Sequence, residues 1–102
     1  VEDLAAALCF LLKHPEPPDW INVGTGVDIS ILDLAATVAE TVGYQGQIKT
    51  DPSRPDGTML KRTDVSLLNG LGWKHETELR DGLKKTYQSF LQDHLDGALR
   101  SV

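Results

Sequence analysis

The residue types that bind a charged small molecule are concentrated in one segment, residues 53–64 (SRPDGTMLKRTD). Its prolines and glycine predict a stiffened loop that presents Arg54, Asp56 and Lys61. An arginine fork or a lysine ammonium can engage a diphosphate. A carboxylate only accepts hydrogen bonds, so Asp56 suits a ribose diol or the N–H edge of guanine. The pattern suggests a nucleoside diphosphate as ligand, and an ordinary salt-bridged surface loop is the alternative.

The charge distribution of the chain is compatible with the binding of a small anion, but it is not typical of a protein that binds nucleic acid. The formal net charge of the 102 residues is −5, whereas a protein that binds nucleic acid usually carries a basic field. Four basic and two acidic residues lie between Gln45 and Thr63, so this stretch is +2 and the remainder is −7. A locally positive loop can receive a small anion, although a solvated surface loop would show the same charges.

Gly24-Thr25-Gly26 resembles the beginning of a dinucleotide-binding motif. The third glycine of that motif is missing, because Ile29 stands in its place, and no acidic residue follows at the distance expected for a ribose contact. We therefore interpret the segment as a tight turn and predict no cofactor-binding residue in this chain.

Other catalytic and metal-binding patterns are also missing from the sequence. No cysteine or histidine stands at zinc-ligand spacing, so we predict no metal site. There is no Gly-x-Ser-x-Gly elbow. Neither Tyr44 nor Tyr87 is followed four positions later by the lysine that short-chain dehydrogenases use for proton transfer. We predict no catalytic residue.

Apolar spacing and capping residues predict one helix-rich α/β domain over residues 1–102. We expect helices over 2–13, 31–42 and 65–71 and a longer one up to about residue 95, with N-caps at Ser30, Asp64 and Thr77. Two short strands are predicted over 20–23 and 47–50, and Asp28-Ile29 is a candidate for a third. These two or three short strands do not make a complete Rossmann sheet.

The first predicted helix is apolar around most of its circumference. Its leucines, Leu4, Leu8, Leu11 and Leu12, fall on one face, and Cys9 is expected to be buried. Such a helix requires cover on more than one side, so we expect either a preceding domain or self-association through these leucines. The run is too short to cross a bilayer and does not resemble a signal peptide, which leads us to expect a cytoplasmic protein without membrane contact.

The order and spacing of several short motifs resemble the C-terminal third of the GDP-L-fucose synthases. These enzymes are extended short-chain dehydrogenases, also called GDP-4-keto-6-deoxy-D-mannose epimerase-reductases. The combination of Asn-Val-Gly-Thr-Gly-Val-Asp (residues 22–28) with Pro-Asp-Gly-Thr (residues 55–58) is more specific to this family than any single motif. The matching motifs are Val1-Glu2-Asp3-Leu4-Ala5, Ile21-Asn22-Val23-Gly24-Thr25-Gly26-Val27-Asp28, Pro55-Asp56-Gly57-Thr58 with Lys61 and Asp64-Val65, Leu71-Gly72-Trp73, and Gly82-Leu83 with Thr86-Tyr87 and Phe90-Leu91.

The resemblance implies that the chain is the substrate-binding part of an enzyme whose NADP-binding Rossmann domain lies upstream. In that family the Pro-Asp-Gly-Thr loop faces the GDP-sugar, so Asp56 is implied as a substrate contact and Lys61 matches a lysine of the pattern. Arg54 stands where related epimerases have a diphosphate-binding arginine, although a lysine can occupy this position in fucose synthases. The full enzyme is implied to use NADPH to convert GDP-4-keto-6-deoxy-D-mannose to GDP-L-fucose. Its catalytic residues would precede this chain, which alone is expected to be inactive.

The sequence also leaves a different function open. The chain could be a free-standing nucleotide-sugar-binding module, or a self-associating interaction module without catalysis.

Overall fold

The computed structural model describes residues 1–97 and contains four helices in that part of the chain. They form two compact units, Val1–Asp28 with Ser53–Thr77, and Ile29–Pro52 with the segment from Glu78 onward. We refer to these as the first and second units. The helices are α1 (Glu2–Lys13), α2 (Ile31–Val42), α3 (Ser66–Gly70) and α4 (Leu79–Leu95).

The predictions for α1 and α2 are confirmed in their bounds, and α2 is also confirmed in its caps. The Ser30 hydroxyl oxygen accepts a hydrogen bond from the Asp33 amide at 3.0 Å, and the hydroxyl donates to the Asp33 carboxylate at 2.7 Å. At the other end, Gly43 has a φ of +73°, which L side chains rarely adopt, and its amide donates to Ala39 and Glu40. These local contacts satisfy helix-end groups that would otherwise lack partners.

The N-caps predicted for the two later helices were wrong. Helix α3 is shorter than expected and begins after Val65, although the Asp64 carboxylate still accepts a hydrogen bond from the Ser66 amide. Helix α4 begins after Glu78, whose side chain makes no capping hydrogen bond. Thr77 donates its hydroxyl to Asp3 instead, because the carboxylate of that residue lies beside it.

The strand predictions are not confirmed, since residues 20–23, 28–29 and 47–50 have no strand conformation within the described chain. A strand needs a neighbour to pair its backbone amides and carbonyls. The first candidate belongs to one unit and the last to the other, and the division between the units falls between Asp28 and Ile29, so no two complete strand candidates share a unit. The described chain is therefore all-helical in its regular structure.

The core of the first unit is small and includes part of helix α1. Ala7, Val65 and Leu68 are its buried apolar residues. Cys9 is exposed, so the expectation that it is buried was wrong. The apolar side chains that α1 exposes are Leu4, Leu8 and Leu12, at 51%, 52% and 86%, whereas Leu11 is half-buried. Within residues 1–97 no helix has the length and apolar character needed to cross a lipid bilayer.

In the second unit, helices α2 and α4 pack against each other. The buried residue of α2 is Thr37, whose hydroxyl donates to the Asp33 carbonyl at 2.7 Å. Ile31, in the first turn of α2, is 81% exposed. Arg80 of α4 forms an ion pair with Glu40 of α2. Both side chains are well exposed, and such pairs contribute little to stability.

Candidate functional site

The predicted ligand segment, residues 53–64, belongs to the first unit and is divided by its contacts. Residues 53–62, which we call the 53–62 loop, are irregular and exposed, and Thr63 and Asp64 lead into the buried Val65. Arg54, Asp56 and Lys61 are all exposed on this loop, as are all the residues between them. The structure therefore presents these three groups along one solvent-facing loop, and their convergence on one ligand stays a prediction.

Hydrogen bonds and burial hold the residues that follow this loop in place. The Asp64 carboxylate accepts hydrogen bonds from the Ser66 amide at 2.9 Å and from the Ser66 hydroxyl at 2.6 Å. These bonds, the hydroxyl one first, and the nearby positive charge of Arg62 hold the pKa of Asp64 below its ordinary value. The next residue, Val65, is buried. The exposed 53–62 loop is thus followed directly by an anchored segment, in which Asp64 is hydrogen-bonded and Val65 is buried.

The Gly24-Thr25-Gly26 turn packs against this anchored segment. A Cβ atom added to Gly26 would lie 2.7 Å from Cγ2 of Val65, closer than real Cβ contacts. A Cβ atom added to Gly24 would lie 3.5 Å from Cβ of Thr63. Gly26 also has a φ of +73°, which strongly favours glycine. Within the turn, the Thr25 hydroxyl accepts a hydrogen bond from the Val27 amide at 3.2 Å.

The geometry of this turn does not fit the pyrophosphate of a dinucleotide. In a dinucleotide site the glycines let the phosphates approach the backbone, and a helix begins directly at the turn. Here the space beside Gly26 is filled by Val65, and the next helix does not begin until Ile31. The turn is therefore not suited to hold the pyrophosphate of NADPH.

A second long-range contact fixes the end of the first unit. The Asp3 carboxylate accepts hydrogen bonds from the Thr77 amide at 3.0 Å, the Glu76 amide at 3.3 Å and the Thr77 hydroxyl at 3.4 Å. The Thr77 amide is the main cause that holds the pKa of Asp3 below its ordinary value, and the charge of His75 acts in the same direction. This carboxylate therefore links the first turn of α1 to the segment before α4.

Sequence reasoning missed both long-range contacts. The Gly26–Val65 and Asp3–Thr77 pairs join residues far apart in the chain, and no local spacing rule connects them. Two sequence features could have pointed to these contacts: a glycine pair that does not complete a dinucleotide motif, and an acidic residue in the first turn of a helix.

Within residues 1–97, no three His, Cys, Asp or Glu side chains are grouped so that they could hold a metal ion.

Comparison with known proteins gives consistent relatives, although no protein-family model matches the chain. GDP-L-fucose synthase from Escherichia coli K12 is 46% identical, with 91% of this chain and 32% of the relative covered. GDP-L-fucose synthase from Sinorhizobium fredii NGR234 is 44% identical, with 93% of this chain and 30% of the relative covered. The chain thus spans about three tenths of the length of these relatives.

A solved structure shows the same local fold. The chain resembles a GDP-mannoheptose C4 reductase from Campylobacter jejuni, solved with NADP bound, with a TM-score of 0.78 and 34% identity. This match covers 88% of the chain and 29% of the reductase. The resemblance found in the sequence motifs is therefore confirmed by two independent comparisons. This chain is a homologue of the GDP-L-fucose synthases and matches the C-terminal part of their sequences.

Proposed function

We propose that this chain is the GDP-sugar-binding part of an NADPH-dependent GDP-L-fucose synthase, with residues 1–102 as its C-terminal substrate-binding domain. The names of its relatives support this proposal, because each of the three proteins compared acts on or forms a GDP-linked sugar. The observation that carries it is the exposed 53–62 loop, which combines acceptor and donor groups suited to a nucleoside diphosphate.

Each of the three loop residues has a distinct role in the proposal. Asp56 accepts hydrogen bonds from the ribose hydroxyls or the guanine N–H edge. Lys61 donates to the diphosphate as a compact cation, and Arg54 supports it with its planar fork. All three side chains are exposed, so a ligand reaches them without a rearrangement of the small core.

Binding by the isolated chain is expected to be weak. Two hydrogen bonds to charged groups supply roughly 1.5–3 kcal/mol each, and solvent reduces this at an exposed site. The resulting dissociation constant is about millimolar. A closed pocket buries most of a ligand of this size, and we propose that the remaining length of the fucose synthases supplies the rest of that enclosure.

Calorimetry with GDP tests the binding role. We expect GDP to bind more tightly than UDP, and Asp56→Asn or Lys61→Ala to weaken GDP binding about tenfold. Asp19→Asn and Lys74→Ala are the matched controls, since both residues are exposed in the first unit but lie outside the loop. Equal binding by Asp56→Asn, Lys61→Ala and these controls would contradict the assignment.

A separate experiment tests the proposal that the chain alone is inactive. The purified chain is mixed with NADPH and GDP-4-keto-6-deoxy-D-mannose, and absorbance at the reduced nicotinamide band is followed. We expect no consumption of NADPH above the protein-free control. Genuine turnover would show that the reactive groups lie in this chain and would refute the division of roles.

The exposed face of α1 favours one further property, self-association of the isolated chain. Leu4, Leu8 and Leu12 form a neighbouring set of exposed apolar side chains at helical spacing. Burying such a surface is favourable. We propose that a preceding domain covers it in the full-length enzyme and that a second copy covers it when the chain is alone.

A further inference from the structure

We propose that the Gly24-Thr25-Gly26 turn positions the cationic end of the 53–62 loop, with Gly26 and Val65 as the positioning residues for Lys61. The inference rests on the proposed function, because it concerns how the loop is prepared for a diphosphate. It gives a role to a glycine pair that does not fit a cofactor site. Neither glycine contributes a side chain; Gly26 allows Val65 to approach the backbone of the turn, and Gly24 lies beside Thr63 without a comparable overlap.

The contacts that carry this inference lie at the C-terminal end of the loop. Val65 is 8% exposed, and its Cγ2 occupies the position that a Cβ atom of residue 26 would require. Thr63 stands at ordinary van der Waals distance from a Cβ atom built at Gly24. Asp64, between them, is fixed by its hydrogen bonds to Ser66. Three consecutive residues are therefore restrained directly after the loop.

Chain connectivity makes the effect larger for Lys61 than for Asp56. Lys61 is two residues before Thr63, so its Cα lies within about 7 Å of the restrained segment even in a fully extended chain. Asp56 is seven residues away, and an extended chain of that length spans about 25 Å. Packing against the turn thus restricts the backbone of Lys61 strongly and that of Asp56 weakly. The turn should influence the diphosphate contact more than the nucleoside contact.

The test uses Gly26→Ala with a control that has the same backbone geometry. Gly43 also has a φ of +73°, but nothing lies within 4 Å of a Cβ atom added there. Gly43→Ala therefore introduces a comparable left-handed strain without the overlap with Val65. Gly70→Ala is a second control, since its added Cβ atom also meets no neighbour and its backbone is helical.

Hydrogen exchange measured by mass spectrometry reports on loop order without any ligand. We expect Gly26→Ala to accelerate exchange at the Ser66 and Asn69 amides, which donate to Asp64 and Val65, at least several-fold, whereas Gly43→Ala and Gly70→Ala do not accelerate it. The Val65→Ala substitution removes the Cγ2 atom that the Cβ atom added by Gly26→Ala would overlap. In that background, Gly26→Ala should therefore increase the exchange rate less than it does in the wild type. Equal exchange in Gly26→Ala and Gly43→Ala, or no coupling between the two substitutions, would overturn the inference.

GDP affinity provides the functional readout. We expect Gly26→Ala to weaken GDP binding about tenfold, and Lys61→Ala to cost much less in the Gly26→Ala background than in the wild type. Asp56→Asn should weaken GDP binding by the same factor in the wild type and in the Gly26→Ala background. If the exchange results are as expected but Lys61→Ala costs the same in both backgrounds, the positioning role is refuted. If the wild type does not bind GDP, the proposed function fails, while the exchange cycle still decides whether the turn restrains the loop.

Discussion

The substitution Leu68→Ala gives the most direct test of how the first unit is stabilised. Leu68 on α3 is completely buried and is the largest fully buried side chain among the described residues. Leucine-to-alanine substitutions in a core cost about 2–5 kcal/mol, less where the surroundings can collapse. The other buried apolar residues are Ala7 and Val65, and so small a core relaxes easily. We therefore expect Leu68→Ala to lower the free energy of unfolding by about 2–3 kcal/mol.

This loss is large for a chain of 102 residues, whose total stability is on the order of 5–15 kcal/mol. It corresponds to a decrease in melting temperature on the order of 10 °C. Urea unfolding followed by the fluorescence of Trp73 is a suitable assay, because the Trp73 amide donates to the Leu68 carbonyl at 3.3 Å. Trp20 is 85% exposed, so Trp20→Phe removes the second fluorophore with little effect on the fold.

Leu67→Ala is the matched control for this experiment. Leu67 is the neighbouring residue on the same short helix but is 54% exposed, so the two substitutions share helix propensity and differ in burial. We expect Leu67→Ala to cost less than 1 kcal/mol in the same background. Equal losses for the two variants would refute the conclusion that α3 stabilises the first unit through the buried Leu68 side chain.

Three other predictions concern the caps, the acid limit and the exposed face of α1. Ser30→Ala removes the α2 cap and should cost about 1 kcal/mol in thermal unfolding followed by circular dichroism. The Thr77 amide holds the pKa of Asp3 below 3.8, so this stabilisation is present above pH 3.8 and is lost as the pH falls through the lowered pKa. Asp3→Asn should therefore reduce the loss of stability below pH 3.8, whereas Asp19→Asn should not. Leu8→Lys should abolish the concentration-dependent self-association that we expect in sedimentation experiments; an unchanged association constant would exclude this face.

The sequence predicted α1 and α2 well because their signals are local. A capping serine, a C-terminal glycine and apolar residues at helical spacing act within a few residues of each other. The expectation for Thr77 failed because a distant carboxylate, that of Asp3, competes for the same hydroxyl and amide. Local capping rules do not include such competition.

The strand predictions failed for a different physical reason. β-Propensity describes how a residue fits a sheet and does not provide the neighbouring strand. The segments 20–23 and 47–50 belong to different units and have no strand partner among the described residues. Exposure of the 53–62 loop, in contrast, followed from its prolines, glycine and charges. Which residues restrain its end could not be predicted, since the contact between Gly26 and Val65 depends on the folded chain.

The positions of the stabilising contacts suggest how stability and ligand recognition are separated in this chain. Gly26 packs against Val65, Asp64 binds Ser66, and Asp3 binds the amide and hydroxyl of residue 77, so these contacts involve residues after the 53–62 loop. The loop itself is exposed throughout, and substitutions at exposed positions usually change stability by less than about 0.5 kcal/mol. If the 53–62 loop binds the GDP-sugar as proposed, its residues can therefore be altered for a different nucleotide-linked sugar at little cost in folding. Substitution of Asp64, Val65 or Thr77 would instead remove contacts that stabilise the first unit.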